Sequence, residues 1–198
     1  MNNANNLNNF KNDKKNLTKK ITLSAILSAL GVIFLMLGSI IDVLDLSSAV
    51  LAGFTIAVGV IEIGGKYPAV MYTVISLLSL LILPNKYPAV FFIFFGGFYP
   101  IFKAYLERFH YIIAWTVKFS MFNVFFVFMI LTVRFLSEKN FLPPLENINF
   151  LSSFRESLIF VGFVIANIVF LLYDIAMTKI ITLYIVKIRK ILRLKNYF

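Results

Sequence analysis

The chain has 198 residues, of which 60% are hydrophobic, 17% aromatic and 14% charged, and its formal net charge is +10. A soluble domain carries roughly 25% charged and about 45–50% apolar residues, so this composition indicates an integral membrane protein and excludes most soluble enzymes and nucleic-acid-binding proteins. The sequence has no cysteine and one histidine, His110, which excludes disulfides, thiolate metal sites and imidazole clusters.

The first twenty residues, 1–20, carry eight Asn and five Lys and almost no large apolar side chain. Such a segment cannot bury enough apolar surface to fold on its own. We therefore expect residues 1–20 to form a disordered, basic cytoplasmic tail.

Six apolar stretches follow this tail: 21–41, 46–64, 68–83, 88–106, 112–134 and 157–178. A bilayer core about 30 Å thick requires ~20 apolar residues in a helix. The third stretch has only 16 residues, so it either crosses a thin region of the bilayer or forms a re-entrant segment. The sequence thus predicts an all-α, polytopic transmembrane helix bundle over residues 21–186.

Two of these stretches begin with the same pentapeptide, KYPAV, at 66–70 and 86–90. Proline suits the first turn of a helix because the N–H that it lacks would have no partner there. We interpret the repeat as two similar helix starts.

The positions of the cations favour six spans with both termini in the cytoplasm. With that topology, fourteen of the nineteen Lys and Arg residues lie on inner segments, including the basic carboxyl-terminal segment 187–198, and four lie on outer segments. Five spans would place the carboxyl-terminal cations outside, against the positive-inside rule. We expect a multi-pass protein of a bacterial cell membrane that contacts anionic lipid and does not bind nucleic acid.

Ionisable groups within the hydrocarbon are candidates for function because their burial is expensive. Glu62, Lys103, Glu107, Lys118 and Asp174 fall near the inner ends of their spans and form one layer of mixed sign. Pairing of Glu62 or Asp174 with Lys118 would neutralise this layer. We favour structural pairing together with snorkelling of Lys103 and Lys118; the alternative is a gate or a proton relay.

Other polar residues could contact a solute. Asn123 and Asn167 lie near mid-membrane, where hydrogen bonds between helices explain them and a solute-binding role is the alternative. Further polar groups lie at the predicted outer side. The candidate substrate-binding residues are Asp42, Asp45, Lys86, Asn123, Arg134 and Asn167.

The fourth span is unusually aromatic. The run VFFIFFGGFYPIF at 90–102 places Phe on every side of the helix. Contact with lipid is the default interpretation. The alternative is a sandwich for a flat or apolar ligand, with Gly96 and Gly97 allowing a close approach.

The first span carries a stripe of mostly small residues. Ser24, Ser28, Gly31, Leu35 and Gly38 fall on one helical face, and Ala25 and Ala29 lie beside it. Small residues allow two helices to approach closely in lipid, where apolar surface alone gives no driving force. The face either packs within the monomer or docks on a second membrane subunit.

Signatures of enzymes are missing from the sequence. It has no Walker A loop, no nucleophile elbow and no paired acidic motif of the phospholipid-transferase type. We therefore expect no catalytic residues, no cofactor and no metal, and energised transport would require a separate motor.

The segment LTKKITLSAILSALGVIFLMLG (17–38), together with six short spans in under 200 residues, resembles the substrate-capture (S) components of energy-coupling-factor transporters. The first helix of that family carries an alanine-x-x-x-alanine signature, which Ala25 and Ala29 match. The resemblance implies capture of a vitamin or similar micronutrient at the outer side. It also implies a transmembrane coupling subunit and ATPases as partners, with Ala25 and Ala29 as the docking residues.

Two other segments, 85–108 and 167–187, resemble more closely parts of small uncharacterised polytopic membrane proteins of Gram-positive-type bacteria. That resemblance implies no activity. Our leading hypothesis is a membrane-embedded solute-binding or transport component, namely the substrate-capture subunit of a multi-subunit micronutrient importer. The alternative is a non-transporting membrane scaffold or assembly protein.

Overall fold

The structure, a computed structural model, describes residues 2–107, 110–136 and 155–188, some of them, including Asp42 and Arg134, by their backbone alone. The described part contains six helices and no strand. The helices are α1 (Asn2–Ile40), α2 (Asp45–Glu62), α3 (Tyr67–Ile82), α4 (Tyr87–Leu106), α5 (Tyr111–Leu136) and α6 (Arg155–Leu183).

Five helices in the described ranges are long and apolar enough to cross a membrane: Asn12–Ile40 within α1, α2, α4, Ile112–Thr132 within α5, and Val161–Lys187, which begins in α6. The sixth, α3, is apolar but has 16 residues. The prediction of an all-α protein built from apolar helices is thus confirmed.

The ends of the helices define two ends of the bundle. The Ser39 hydroxyl, near the end of α1, donates to the Asn85 carbonyl at 3.0 Å and accepts from the Asn85 N–H at 2.9 Å. We call this the Asn85 end. The α2–α3 turn around Lys66 lies beside the last turns of α4 around Ala104, and we call this the Lys66 end. The short helix α3 therefore connects the two ends.

Both copies of KYPAV start helices, as predicted. α3 and α4 begin at Tyr67 and Tyr87, with Pro68 and Pro88 in their first turns. Before α3, Gly64 and Gly65 adopt φ values of +64° and +63° and terminate α2 in a left-handed turn that favours glycine.

Helix α2 is the centre of the bundle, and about half of its span is buried, against about one sixth of α5 and α6. Small residues allow its neighbours to approach closely. A Cβ atom added at Gly53 would lie 2.2 Å from the carbonyl oxygen of Gly96, and one added at Gly96 would lie 2.3 Å from that of Ala49. Backbone therefore meets backbone where α2 and α4 cross, which only glycine permits.

Helix α4 is not a regular α-helix. Residues Phe92–Gly96 form a π-turn, closed by the Gly97 N–H donating to the Phe92 carbonyl at 2.7 Å. The turn lies at the contact with α2. π-turns inside helices are rare and are often found at functional sites.

The amino-terminal segment differs from its prediction. Instead of a disordered tail, residues 2–20 continue the first span as one helix of 39 residues, from Asn2 to Ile40. Extension of an existing helix adds one hydrogen bond per residue without a new nucleation cost, so the apolar span can propagate into a polar segment. The described side chains of this extension, from Asn12 onward, are largely exposed.

Candidate functional site

A cluster of charged side chains is buried between α4, α5 and α6. The Asp174 carboxylate accepts hydrogen bonds from the Tyr99 hydroxyl and from the Lys103 ammonium. The Lys118 ammonium donates to both Asp174 oxygens, at 3.2 and 3.3 Å. We call these four residues the Asp174 cluster. The predicted pairing of Asp174 with Lys118 is confirmed.

The predicted snorkelling of the two lysines is wrong. The exposed fractions of Lys103 and Lys118 are 3% and 5%, because both turn toward Asp174 inside the bundle. Lys103 also contacts Glu107, four residues later, at 3.2 Å, and the Glu107 side chain is 55% exposed. Glu62, the other predicted member of the charge layer, is buried near the end of α2.

An apolar cleft of about 140 Å³ lies next to the cluster, between α4, α5 and α6 and the first turn of α2. Aromatic rings dominate its walls. Its lining comprises Leu46, Phe91, Phe94, Phe95, Tyr99, Met121, Phe122, Phe125, Phe126, Met129, Ala166, Val169 and Phe170. A cavity of about 150 Å³ lined by apolar side chains accommodates a benzene molecule, so this cleft fits one ring or a short aliphatic group.

The side of the cleft nearest the cluster is closed by three rings. Phe122 and Phe170 stack with centroids 4.4 Å apart, and Tyr99 meets Phe170 edge-on at 5.4 Å. Tyr99 belongs to both features, since its ring borders the cleft and its hydroxyl bonds to Asp174. Tyr99 therefore connects the two features, while the packed rings separate the space of the cleft from the charged groups.

The default interpretation of the aromatic run in α4 as lipid contact is wrong for part of the run. Phe92 is fully buried, and Phe95 packs against Tyr173 at 4.4 Å and Phe122 at 5.7 Å. A helix that is apolar on all sides favours a central position, where every face finds a partner. The predicted close approach at Gly96 is made by α2 rather than by a ligand.

The two asparagines that were predicted near mid-membrane bond to each other across α5 and α6. The Asn123 amide donates to Asn167 Oδ1 at 3.2 Å, and the Asn167 amide donates to Asn123 Oδ1 at 3.1 Å. Each amide also donates to the carbonyl four residues earlier, at 2.8 and 2.9 Å. Both N–H donors of each side chain are thus used, which confirms the predicted hydrogen bond between helices, and neither residue lines the cleft.

The other candidate substrate-binding residues lie at the Asn85 end. The Lys86 ammonium donates to the carbonyls of Leu80, at 2.7 Å, and Leu83, and so caps the end of α3. Asp45 begins α2, where a carboxylate is favourable at the helix amino terminus. The side chains of Asp42 and Arg134 lie outside the described part of the structure. Neither Lys86 nor Asp45 is among the residues lining the cleft.

The two faces of the first span have different surroundings. Ser28, Gly31, Leu35 and Gly38 are buried against α2 and α3, so this stripe packs within the monomer. Ala25 and Ala29 are exposed on the outside of the bundle. They make no contribution to the packed core of the chain.

Among the described residues, no group of three His, Asp or Glu side chains could hold a metal ion. The polar chemistry of the site consists of two ammonium groups, one carboxylate and one phenol.

The sequence predicted an aromatic site for an apolar ligand at 90–102 only as the alternative, and it did not indicate the role of Tyr99 or the walls that α5 and α6 supply. The available signal was the spacing of Tyr99 four residues before Lys103 and of Phe170 four residues before Asp174, which places each pair on one helical face.

Comparison of the chain with protein families, with curated proteins and with solved structures finds no match.

Proposed function

We propose that the protein is a membrane-embedded binding component that holds a small apolar solute in the cleft between α4, α5 and α6. The observation that carries the proposal is the cleft itself, about 140 Å³ in volume and lined by aromatic and aliphatic side chains. Ligand sites are concave and mostly apolar, with a few polar groups that fix orientation. The Asp174 cluster supplies such groups at one side of this cleft.

Binding of toluene, which carries a single ring, tests the proposal. We expect toluene to raise the thermal stability of the protein in nanodiscs, and Ala166→Phe, which fills the cleft, to abolish this rise. Ala176→Phe is the matched control, because Ala176 lies on the same helix but is exposed on the outside of the bundle. An equal response of both variants would mean that toluene acts through the lipid, and would contradict the proposal.

We further propose that this component belongs to a multi-subunit importer and docks on a transmembrane coupling subunit that works with ATPases. The exposed pair Ala25 and Ala29 supports this role, because small residues on an unburied helix face leave room for a second helix. We expect Ala25→Leu/Ala29→Leu to reduce recovery of an ATPase with the tagged protein, without changing its thermal stability. Unchanged recovery, or no ATPase with either protein, would count against docking.

We propose six spans in a bacterial cell membrane, with both termini in the cytoplasm. The distribution of cations supports this topology, and so does α3, which connects the two ends of the bundle. The chain has no cysteine, so single cysteines can be introduced without background. In intact cells, a membrane-impermeant thiol reagent should label Lys86→Cys but not Lys66→Cys, and the reverse pattern would refute the proposed orientation.

A membrane scaffold is the second candidate, and the long basic extension of α1 favours it. Helix α1 has 39 residues, about twice the ~20 that cross a bilayer core, so its amino-terminal part projects beyond the bilayer. A scaffold predicts that deletion of residues 2–15 abolishes partner recovery, whereas the importer component predicts that the Ala25 and Ala29 substitutions do.

A further inference from the structure

The three helices that supply most of the cleft lining, α4, α5 and α6, each carry a charged residue one turn further toward the Lys66 end. On α4, Lys103 follows Tyr99 by four residues; on α6, Asp174 follows Phe170 by four residues. On α5, which runs in the opposite direction, Lys118 precedes Phe122 by four residues. Residues four apart share one helical face and are separated by about one turn, ~5.4 Å. The Asp174 cluster therefore lies directly beneath the rings that close the cleft.

The buried part of this cluster has an excess of positive charge. Lys103 and Lys118 share the single carboxylate of Asp174, and all three side chains are at most 6% exposed. Glu107 contacts only the Lys103 side of the cluster, and its 55% exposure places its charge near solvent at the Lys66 end. Lys103 thus pairs with two carboxylates, whereas among the described residues Lys118 pairs with Asp174 alone. Because a weakly paired charge inside a membrane protein is expensive, a further anion beside Lys118 would be favoured.

Lys118 is the group in the cluster best placed to bind that anion. An ammonium group has three N–H donors, and Lys118 directs its hydrogen bonds to Asp174 over the rather long distances of 3.2 and 3.3 Å. It lies one turn beneath Phe122, which lines the cleft. Tyr99 contacts both the cleft and the cluster, because its ring borders the cleft and its hydroxyl bonds to Asp174.

We propose that the ligand of this cleft is a small apolar acid. Its ring or short aliphatic group packs against Phe95, Phe122 and Phe170, and its carboxylate accepts a hydrogen bond from Lys118 when these rings change rotamer to admit it. This inference rests on the proposed function, because it names the ligand class for the same cleft. The cluster discriminates by charge: an anion forms an ion pair with the Lys118 ammonium, a neutral analogue does not, and a cation is repelled.

Three probes that share a phenyl ring and a two-carbon chain test the inference: phenylacetate, phenylacetamide and 2-phenylethylamine. The protein is purified in nanodiscs of zwitterionic lipid, so that the surface charge of the bilayer does not bias the comparison. Trp115, the only tryptophan in the sequence, reports binding by fluorescence, because its ring centroid lies 5.3 Å from the Lys118 ammonium.

We expect phenylacetate to bind about tenfold more tightly than phenylacetamide, as one charge-assisted hydrogen bond allows, and 2-phenylethylamine to bind most weakly. Lys118→Met should remove the preference for the acid and leave the affinity for the amide unchanged, while Lys118→Arg should retain the preference. Glu107→Gln removes a partly exposed partner of Lys103 and leaves Lys118 unchanged, so it should retain the wild-type ranking of the three probes.

Equal affinity of wild-type protein for the acid and the amide would overturn this inference and leave the proposed function intact, provided that Ala166→Phe blocks both probes. Absence of binding by every probe, together with no effect of Ala166→Phe on toluene, would contradict both proposals. Should Lys118→Met fail to fold, the ranking of the three probes by the wild-type protein decides.

Discussion

The two sides of α4 are packed by different means. Toward α1, α2 and α3, the bundle is held by small residues that bring backbones together, as at Gly53 and Gly96. Toward α5 and α6, it is held by stacked rings, by the Asn123–Asn167 pair and by the Asp174 cluster, and a cleft remains between the helices.

The α1–α3 side of α4 is thus a tightly packed scaffold, and the α5–α6 side holds the candidate site. Backbone contact through glycine leaves no room for adjustment, because the interior of a packed bundle does not deform continuously. Aromatic rings and long lysine side chains can change rotamer and admit a ligand. The π-turn in α4 lies at the boundary, with Phe92 buried in the scaffold and Phe94 and Phe95 lining the cleft.

The largest expected effect is on the cleft side, at Asp174. Asp174→Asn keeps the shape of the side chain but leaves the buried Lys118 without its carboxylate and Lys103 with only Glu107, which should cost about 3–5 kcal/mol of stability. Equilibrium unfolding of the purified protein in detergent measures this cost. Glu107→Gln is the control, because it removes a partly exposed partner of the same Lys103 and should cost less than about 1 kcal/mol. Equal losses in the two variants would show that the cluster is not effectively buried.

The next largest effect is on the scaffold side, at Gly53. Gly53→Ala places a methyl group 2.2 Å from the Gly96 carbonyl oxygen, and the strain should cost about 2–3 kcal/mol, the upper part of the usual range for overpacking. Thermal unfolding checks this value. A Cβ atom at Gly162 has open space around it, so Gly162→Ala should be neutral or slightly stabilising. A tolerated Gly53→Ala would mean that this side also adjusts, and the contrast between the two sides would fail.

The smallest effect concerns the asparagine pair. A double-mutant cycle with Asn123→Ala and Asn167→Ala should give a coupling energy of about 0.6–1.7 kcal/mol, the range found for hydrogen bonds between membrane helices. Additive losses would indicate that the two amides do not hold α5 and α6 together. The same variants should leave toluene binding intact, since neither asparagine lines the cleft.

Most of the architecture was predictable because apolar length alone sets helix boundaries in a bilayer. The predicted stretch 68–83 corresponds to Tyr67–Ile82, and 88–106 to Tyr87–Leu106. The Asp174–Lys118 pair was predictable too, because charges at similar depth must neutralise each other.

An apolar site on α4 was only the alternative prediction, and its walls were not predictable, because a helix that is apolar on every side has no periodicity to show which face contacts a neighbour. The sequence therefore did not show which side of α4 faces α5 and α6. Nor did it show that the Tyr99 hydroxyl bonds to Asp174, 75 residues later. The helical extension at residues 2–20 was missed for a different reason: its composition disfavours independent folding, but it continues a helix that the span has already nucleated.

The most direct test of the account locates a ligand in the cleft. Crystals grown from a lipidic phase and soaked with bromobenzene should show an anomalous bromine peak in the cleft, against Phe95, Phe122 and Phe170, in the wild-type protein, and no peak there in Ala166→Phe. Bromine found only on the lipid-facing surface of the bundle, or a peak that Ala166→Phe does not remove, would contradict a solute-binding cleft.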